Sequence, residues 1–284
     1  MGIDVEQERR FYDAHYAQYL DLPDHALRLD RGTLLAGLDD PANPMFERRR
    51  LYGTVIERLL REPLAGLSVL DYGCGPGDFG LLMAAEGARV TFLDLSSTAI
   101  ALCLARARAG GLRGRVRGFA RDASDLRCFG THEFDLIFAS AALHHTLKYP
   151  NAVEELLRVL RPGGRLYLAE TLGNNALLNF ARRLRATIAR EPEEQGEEII
   201  LGERELGLLA ESFDLEVIPM NLLAMAKRLF RGRFGSTGVR WVLRTLEKTD
   251  RALLAMAPVL GRYCGEALIV ATRRTVTVSA ASAR

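Results

Sequence analysis

Long apolar runs are missing from this chain of 284 residues. The longest candidates, Leu136 to Leu143 and Ala252 to Leu260, reach about half of the roughly 20 residues that a membrane-spanning helix needs, so no membrane span is expected. The first twenty residues carry Asp4, Glu6, Glu8, Arg9 and Arg10 where a secretory leader would be apolar, which points to a cytoplasmic protein. Cysteine is scarce as well. Cys74, Cys103, Cys128 and Cys264 are widely spaced and form no CxxC pair, which argues against a disulfide framework and against a metal site. Nor does one sign of charge dominate: 38 basic against 36 acidic residues leave a formal net charge of +2, too little to direct the whole molecule to nucleic acid or an anionic membrane. What remains, 48% hydrophobic and 26% charged, is the composition of a folded globular chain.

From about Ser68 to Thr171, short β-rich runs alternate with helical stretches, the pattern of a parallel sheet wrapped by helices. Five strands are expected at Ser68–Tyr72, Arg89–Leu95, Val116–Arg121, Phe134–Ala141 and Arg165–Thr171. Two more, at Phe213–Met220 and Glu266–Ala271, bring the sheet to seven. Ser96 or Ser97 caps a helix to Ala109, and Asn151 caps one to Leu160 before Pro162-Gly163-Gly164 turns the chain. Upstream, Phe46–Leu60 puts Leu51, Val55, Ile56 and Leu59 on one helical face. A helical stretch is also expected at Asn175–Arg190. The organisation read from this is an N-terminal helical arm over 1–45, a main domain over 46–274 containing a helical cap insertion at 221–265, and a flexible tail over 275–284.

Val69-Leu70-Asp71-Tyr72-Gly73-Cys74-Gly75-Pro76-Gly77 is a buried strand running into a glycine-rich turn and then a helix. Asp94 ends the next strand 21 residues after Gly73, the spacing at which a nucleotide-binding βαβ unit offers a carboxylate to ribose hydroxyls. Together these predict an adenosine-type ligand. Gly75-Pro76-Gly77-Asp78-Phe79-Gly80 formally matches the dinucleotide fingerprint GxGxxG, but Asp71 just ahead of it would repel a pyrophosphate and suits a positively charged amino-acid group. The competing local readings are a tight turn for Gly73, Gly75 and Gly77, and caps for Asp94 and Asp122.

These segments resemble the class I S-adenosylmethionine-dependent methyltransferases. Asp71 to Gly77 is similar to the family's first motif, Phe92 to Ser96 to the strand whose acid holds ribose, and Arg121-Asp122-Ala123 to the adenine-contacting turn. Phe134 to Ser140 and Leu160 to Leu166 resemble the motifs of the fourth and fifth strands. The resemblance is strong over Phe46 to Thr171. It implies a Rossmann-like, mostly parallel seven-stranded α/β sheet with helices on both faces, S-adenosylmethionine as cofactor, and Asp71, Gly73, Gly75, Gly77, Asp94, Leu95, Asp122, Ala123 and Ser140 as the residues around it.

Methyl transfer from a sulfonium is an in-line displacement, so a protein of this kind must hold acceptor and methyl together and, for a hydroxyl acceptor, remove a proton. His144 and His145 follow the fourth strand and are the candidate bases, with Glu170 at the end of the fifth strand as a third; helix-start hydrogen bonds or packing are the alternatives. Asp135 opens its strand away from the ligand edge and is read as structural. Tyr16 and Tyr19 are candidates to close over the cofactor. Lys227 to Phe234 alternates cations with aromatics in the manner of an RNA or membrane-surface segment, but Leu222, Met225, Trp241 and Leu253 in the same insertion favour an apolar lid over the substrate. The expectation is a methyltransferase acting on a small or medium apolar acceptor, oxygen first, in secondary metabolism. Nitrogen or carbon transfer, or a non-methylating rearrangement or cyclisation on the same fold, is the alternative. A small-molecule partner is expected, and no nucleic acid.

Overall fold

In a computed structural model, residues 5–147, 149, 151–176, 178–180 and 201–275 are described, apart from the side chain of His145. One sheet takes strands β1 (Ser68–Tyr72), β2 (Arg89–Asp94), β3 (Val116–Ala120), β4 (Phe134–Ser140), β5 (Leu160–Thr171), β6 (Phe213–Met220) and β7 (Glu266–Arg273) in the order β3-β2-β1-β4-β5-β7-β6. The first five pair in parallel, and β7 runs antiparallel to both β5 and β6. The strand order reverses between β1 and β2 on one side and β4 on the other. That is the switch point where open α/β sheets bind ligands at their carboxyl edge.

Alternation along the strands divides the core in two. Val69, Phe92 and Phe138 face one layer, formed by α4 (Arg49–Leu59), α5 (Asp78–Ala85) and α6 (Ser97–Ala109). Leu70, Leu93 and Ile137 face the other, with α7 (Leu143–Thr146), α8 (Ala152–Val159) and α9 (Glu203–Ala210). Strands covered on both faces need apolar residues at successive positions, which is why β1, β2 and β4 read as near-continuous hydrophobic runs. Leu51, Val55, Ile56 and Leu59 are the buried stripe expected on α4. Each such side chain contributes about 1.5 to 3 kcal/mol by leaving water.

Helix boundaries follow local chemistry. Ser96 caps α6 by accepting from the Ala99 N–H at 3.0 Å. Asn43 accepts from the Met45 N–H at 2.9 Å and opens a 3-10 turn over Pro44–Arg48, so the helix expected from Phe46 begins as a tighter turn and becomes α-helical only at Arg49. Asn151 precedes α8 without a side-chain cap bond. Pro162-Gly163-Gly164 lies inside β5 as a bulge: between two paired positions the partners advance from Phe134 to Leu136 on β4 and from Leu160 to Arg165 on β5. Asp135 is structural as expected, accepting from the Ser68 N–H at 2.8 Å and pairing with Arg161.

The arm forms α1 (Val5–Ala17), α2 (Asp24–Leu27) and α3 (Arg31–Asp39), and α1 packs on α6. The cap insertion joins β6 to β7 through a 3-10 segment at Ala224–Phe230, helix α10 (Thr237–Met256) and a second 3-10 segment at Pro258–Tyr263. It is fastened to α4 and its lead-in by Arg49–Glu247, Arg50–Asp250 and Arg231–Glu47. Most of the helical stretch expected over 175–190, and the tail from residue 276, lie outside the described residues. No helix among the described residues is long and apolar enough to cross a membrane.

Candidate active site

At the carboxyl edge beside β1, a cavity of about 370 Å³ opens between the glycine turn and the arm. β1 hands the chain to Gly73, Gly75 and Gly77, which all take positive φ (63°, 50° and 77°), a conformation costly for other residues. A Cβ on Gly73 would lie 2.5 Å from that of Ala142, so glycine here lets the turn pack against the end of β4. Gly80 in α5 brings its N–H to Asp71 Oδ2 at 3.1 Å; a Cβ there would stand 2.5 Å from the same oxygen.

Of the expected cofactor residues, Asp71, Gly73, Gly75, Asp94, Leu95, Asp122, Ala123 and Ser140 all line this cavity. Gly77 does not. It starts α5 with left-handed backbone, packed under Cys103 and Phe92, and its role is to shape the turn. Asp94 accepts from the Gly75 N–H at 2.8 Å and the Ser96 N–H at 2.9 Å, so its carboxylate is locked beneath the loop while lone pairs remain for a ligand. Asp122 accepts from the Ser124 N–H at 2.8 Å, as the turn reading expects, and also lines the cavity. Beneath the loop, Cys74 and Cys103 are both buried with their sulfurs 3.8 Å apart, Cys264 is buried elsewhere, and Cys128 is exposed.

Burial pushes the Asp71 carboxyl well above the usual carboxylate range, with Asp94 and Asp78 adding to the rise and the Gly80 N–H opposing it. Asp94 is raised by burial too, against its backbone donors. The lining has one sign: Glu8, Asp71, Asp78, Asp94 and Asp122 contribute to it, and among the described residues no lysine, arginine or histidine does. Asp78 is paired with Arg106 at 2.9 Å, and Asp71, Asp94 and Asp122 form an acidic side of the cavity. Such a lining disfavours a pyrophosphate and favours a cationic nucleoside. The residues present therefore fit S-adenosylmethionine, whose sulfonium and ammonium both carry positive charge.

The catalytic candidates separate. Glu170 is fully buried and does not reach the cavity; Oε1 accepts from the N–H groups of Ala142 (3.2 Å) and Leu143 (3.0 Å), and Oε2 takes the His144 Nδ1 at 2.9 Å. Burial alone would raise this carboxyl, and His144, Arg48 and the Leu143 N–H outweigh it and hold it below its ordinary value. It orients rather than receives. Donation of the Nδ1–H to Glu170 leaves Nε2 as the proton-accepting nitrogen of His144. His144 is not itself on the cavity wall, but Ala142 and Thr146 on either side of it are. His145 sits in the same short helix, with its side chain outside the described residues.

Several residues escaped the sequence reading. Ala141 lines the cavity with φ of 51°, an unusual conformation for a residue with a Cβ, held by its N–H to the Ala169 carbonyl at 3.0 Å. Tyr16 reaches the loop as expected, and a Cβ on Gly75 would lie 2.9 Å from its hydroxyl; Tyr12 and Glu8 join it on the wall, and Tyr19 does not. Asp13 anchors the arm. Its Oδ1 accepts from Ser96 Oγ at 2.6 Å and the Thr98 N–H at 3.0 Å, at the start of α6. No signal in the sequence pairs Asp13 with residues more than eighty positions away. The cap insertion, expected as a lid, contributes no residue to the cavity lining; its polar groups tie it to α4 instead.

The family profile described as a methyltransferase domain matches residues 69–164. Methyltransferase GfsG of Streptomyces halstedii is 31% identical over 186 residues, 62% of this chain and 66% of that protein. A ubiquinone biosynthesis O-methyltransferase of Methylobacterium sp. (strain 4-46) is 35% identical over 120 residues, 42% of this chain and 46% of that one. The chain thus aligns with less than two thirds of the length of either relative. The solved geranyl diphosphate C-methyltransferase of Streptomyces coelicolor A3(2) shares the fold, with a TM-score of 0.54 at 18% identity over 93% of this chain and 98% of that one. With the profile over β1 to the β5 bulge, the seven-stranded sheet and the acidic cavity at its switch point, the chain carries a domain of the class I S-adenosylmethionine-dependent methyltransferase family.

Proposed function

We propose that the protein transfers a methyl group from S-adenosylmethionine to a hydroxyl of a small or medium apolar acceptor. The observation that carries this reading is the single sign of the cavity lining, acidic and without a basic residue, beneath a glycine turn. Asp71 would hold the ammonium, Asp94 the ribose hydroxyls and Asp122 with Ala123 the adenine. The cofactor supplies an electrophilic methyl when bound. The chain's own residues do the rest. Pro44, Met45, Tyr52, Phe79 and Phe138 give the cavity an apolar side, which suits an apolar acceptor, such as a secondary metabolite, and excludes water from it. The buried Glu170 carboxylate fixes the His144 ring through Nδ1, an arrangement that directs Nε2 to accept a proton from a hydroxyl.

Calorimetry with S-adenosylmethionine, S-adenosylhomocysteine and NAD tests the site: binding of the first two and not the third is expected, weakened at least about tenfold by Asp94→Ala, which removes two ribose hydrogen bonds. NAD binding, or none, overturns it. Release of S-adenosylhomocysteine over a panel of phenols and their O-blocked analogues then tests the acceptor atom. Turnover confined to free hydroxyls and reduced about 10² to 10⁴-fold by His144→Gln supports oxygen transfer with a base. Undiminished turnover in that variant removes the base, and turnover of blocked analogues moves the reading to carbon.

A further inference from the structure

The cap turns Trp241 and several aliphatic side chains outward, and none of them lines the cavity. Trp241 is 68% exposed and Met256 83% exposed on α10, while Leu229 (79%) and Val259 (67%) stand on the two 3-10 segments that pack against that helix. Helical spacing lines up Trp241 with Thr245, Lys248, Ala252 and Met256, with Arg244 beside them, all exposed. The opposite face carries the buried Leu243 and Asp250, so the orientation is fixed by packing.

Charge on this part of the chain is lopsided. Between 221 and 265 there are nine lysines and arginines against two acids. Both acids are spent inside: Glu247 pairs with Arg49, and Asp250 is fully buried, accepting from the N–H groups of Leu223 (2.8 Å) and Ala224 (3.0 Å). Of the cations, Lys227 is buried on Glu266, and Arg231 is exposed but paired with Glu47. Arg233, Arg244, Lys248 and Arg251 are exposed, and the acids nearest them in sequence, Glu247 and Asp250, turn inward. A merely solvated basic face does not require four large apolar groups in water.

We propose that this face docks on an anionic phospholipid bilayer, with Trp241, Leu229, Met256 and Val259 entering the interfacial region and Arg244 and Lys248 meeting lipid phosphates. Basic residues around exposed tryptophan and aliphatics are the composition of interfacial helices, in which apolar burial and attraction to anionic headgroups act together. Of the exposed apolar side chains of the cap, Leu223, Leu229, Met256 and Val259 are aliphatic, against Trp241 and Tyr263. The aliphatic ones gain from hydrocarbon but offer no stacking surface to a base, which sets a bilayer above single-stranded nucleic acid. The inference rests on the cap alone and stands whether or not the proposed acceptor is correct.

Trp241 is the chain's single tryptophan, so its emission reports on this face directly. The full-length chain is mixed with vesicles of phosphatidylcholine, with or without about 30% phosphatidylglycerol, at low and at physiological salt. Expected are co-sedimentation and a blue shift of emission with the anionic vesicles only, weaker at higher salt. Arg244→Glu with Lys248→Glu should weaken binding at least about tenfold, since each cation near such a surface counts for several-fold. Arg244→Lys with Lys248→Arg should restore it, and S-adenosylmethionine affinity and thermal unfolding should match wild type in both variants. Absence of sedimentation with anionic vesicles overturns the proposal, as does sedimentation with unmoved emission. So does a shift produced by single-stranded RNA and not by vesicles. If the charge-reversed variant fails to fold, the wild-type emission still decides.

Discussion

Asp71 is held under the glycine loop with one backbone donor, and burial raises its pKa well above that of a free carboxyl. A carboxyl so placed favours its protonated form until a cation arrives. Pairing with an ammonium group stabilises the ionised form, so binding S-adenosylmethionine should expel a proton over the interval in which free Asp71 is still partly protonated. Affinity should then rise with pH across that interval and level off once Asp71 is ionised without ligand. Calorimetry in two buffers of different ionisation enthalpy measures the proton. Asp71→Asn should abolish its release and weaken binding, and zero proton exchange by the wild type in mild acid would show that Asp71 does not meet the cation.

Helix α1 lies against the site because Asp13 occupies the start of α6, where unpaired N–H groups and the helix dipole favour a carboxylate. Losing that contact should cost about 1 kcal/mol, a factor of about five in the docked fraction of the arm. Asp13→Ala is therefore expected to weaken cofactor binding by up to about fivefold and to speed proteolysis between α1 and α3, with the thermal transition of the sheet nearly unchanged; equal proteolysis rates would mean that other contacts hold the arm. The sequence shows where this anchor ends but not where it begins. The strands, the glycine turn, Asp94 and Asp122 are legible because each belongs to a pattern a few residues long, and Ser96 advertises its own helix start. Asp13, Tyr12 and the left-handed Ala141 are not, because their meaning arises from contacts made only when distant segments meet. The cap misled for a related reason: its leucines, Met225 and Trp241 read as a lid by composition, and only the fold shows which of them turn to water.

Across the whole molecule, one buried ionic cluster joins the sheet to the cap and to the entrance of α4. Glu266 opens β7, takes Lys227 at 2.8 Å and the Asn221 amide, and has Arg48 Nε at 3.3 Å. Burial would raise the Glu266 carboxyl, and Lys227 and Arg48 outweigh it and bring it down to about 2. A depressed acid stabilises the fold above its unfolded value and loses that contribution as pH falls to its folded one, so denaturant stability should decline between pH about 4.5 and about 2. Glu266→Gln leaves two buried cations facing an amide and should lower stability by about 3 to 5 kcal/mol at neutral pH, with a flatter decline in acid. Urea titrations at three pH values read both effects; parallel curves for the two proteins would remove Glu266 as the source. The reversal of β7 has one more result. It brings the β6–β7 connection to the ligand edge of the sheet, and a connection there can grow with little thermodynamic resistance, since closing a loop twice as long costs only about 0.6 kcal/mol more. The 221–265 segment is thus the place where divergence can exchange one attachment for another without moving a catalytic atom. Recombination of that segment between relatives should succeed wherever Arg49 and Arg50 still find their acids.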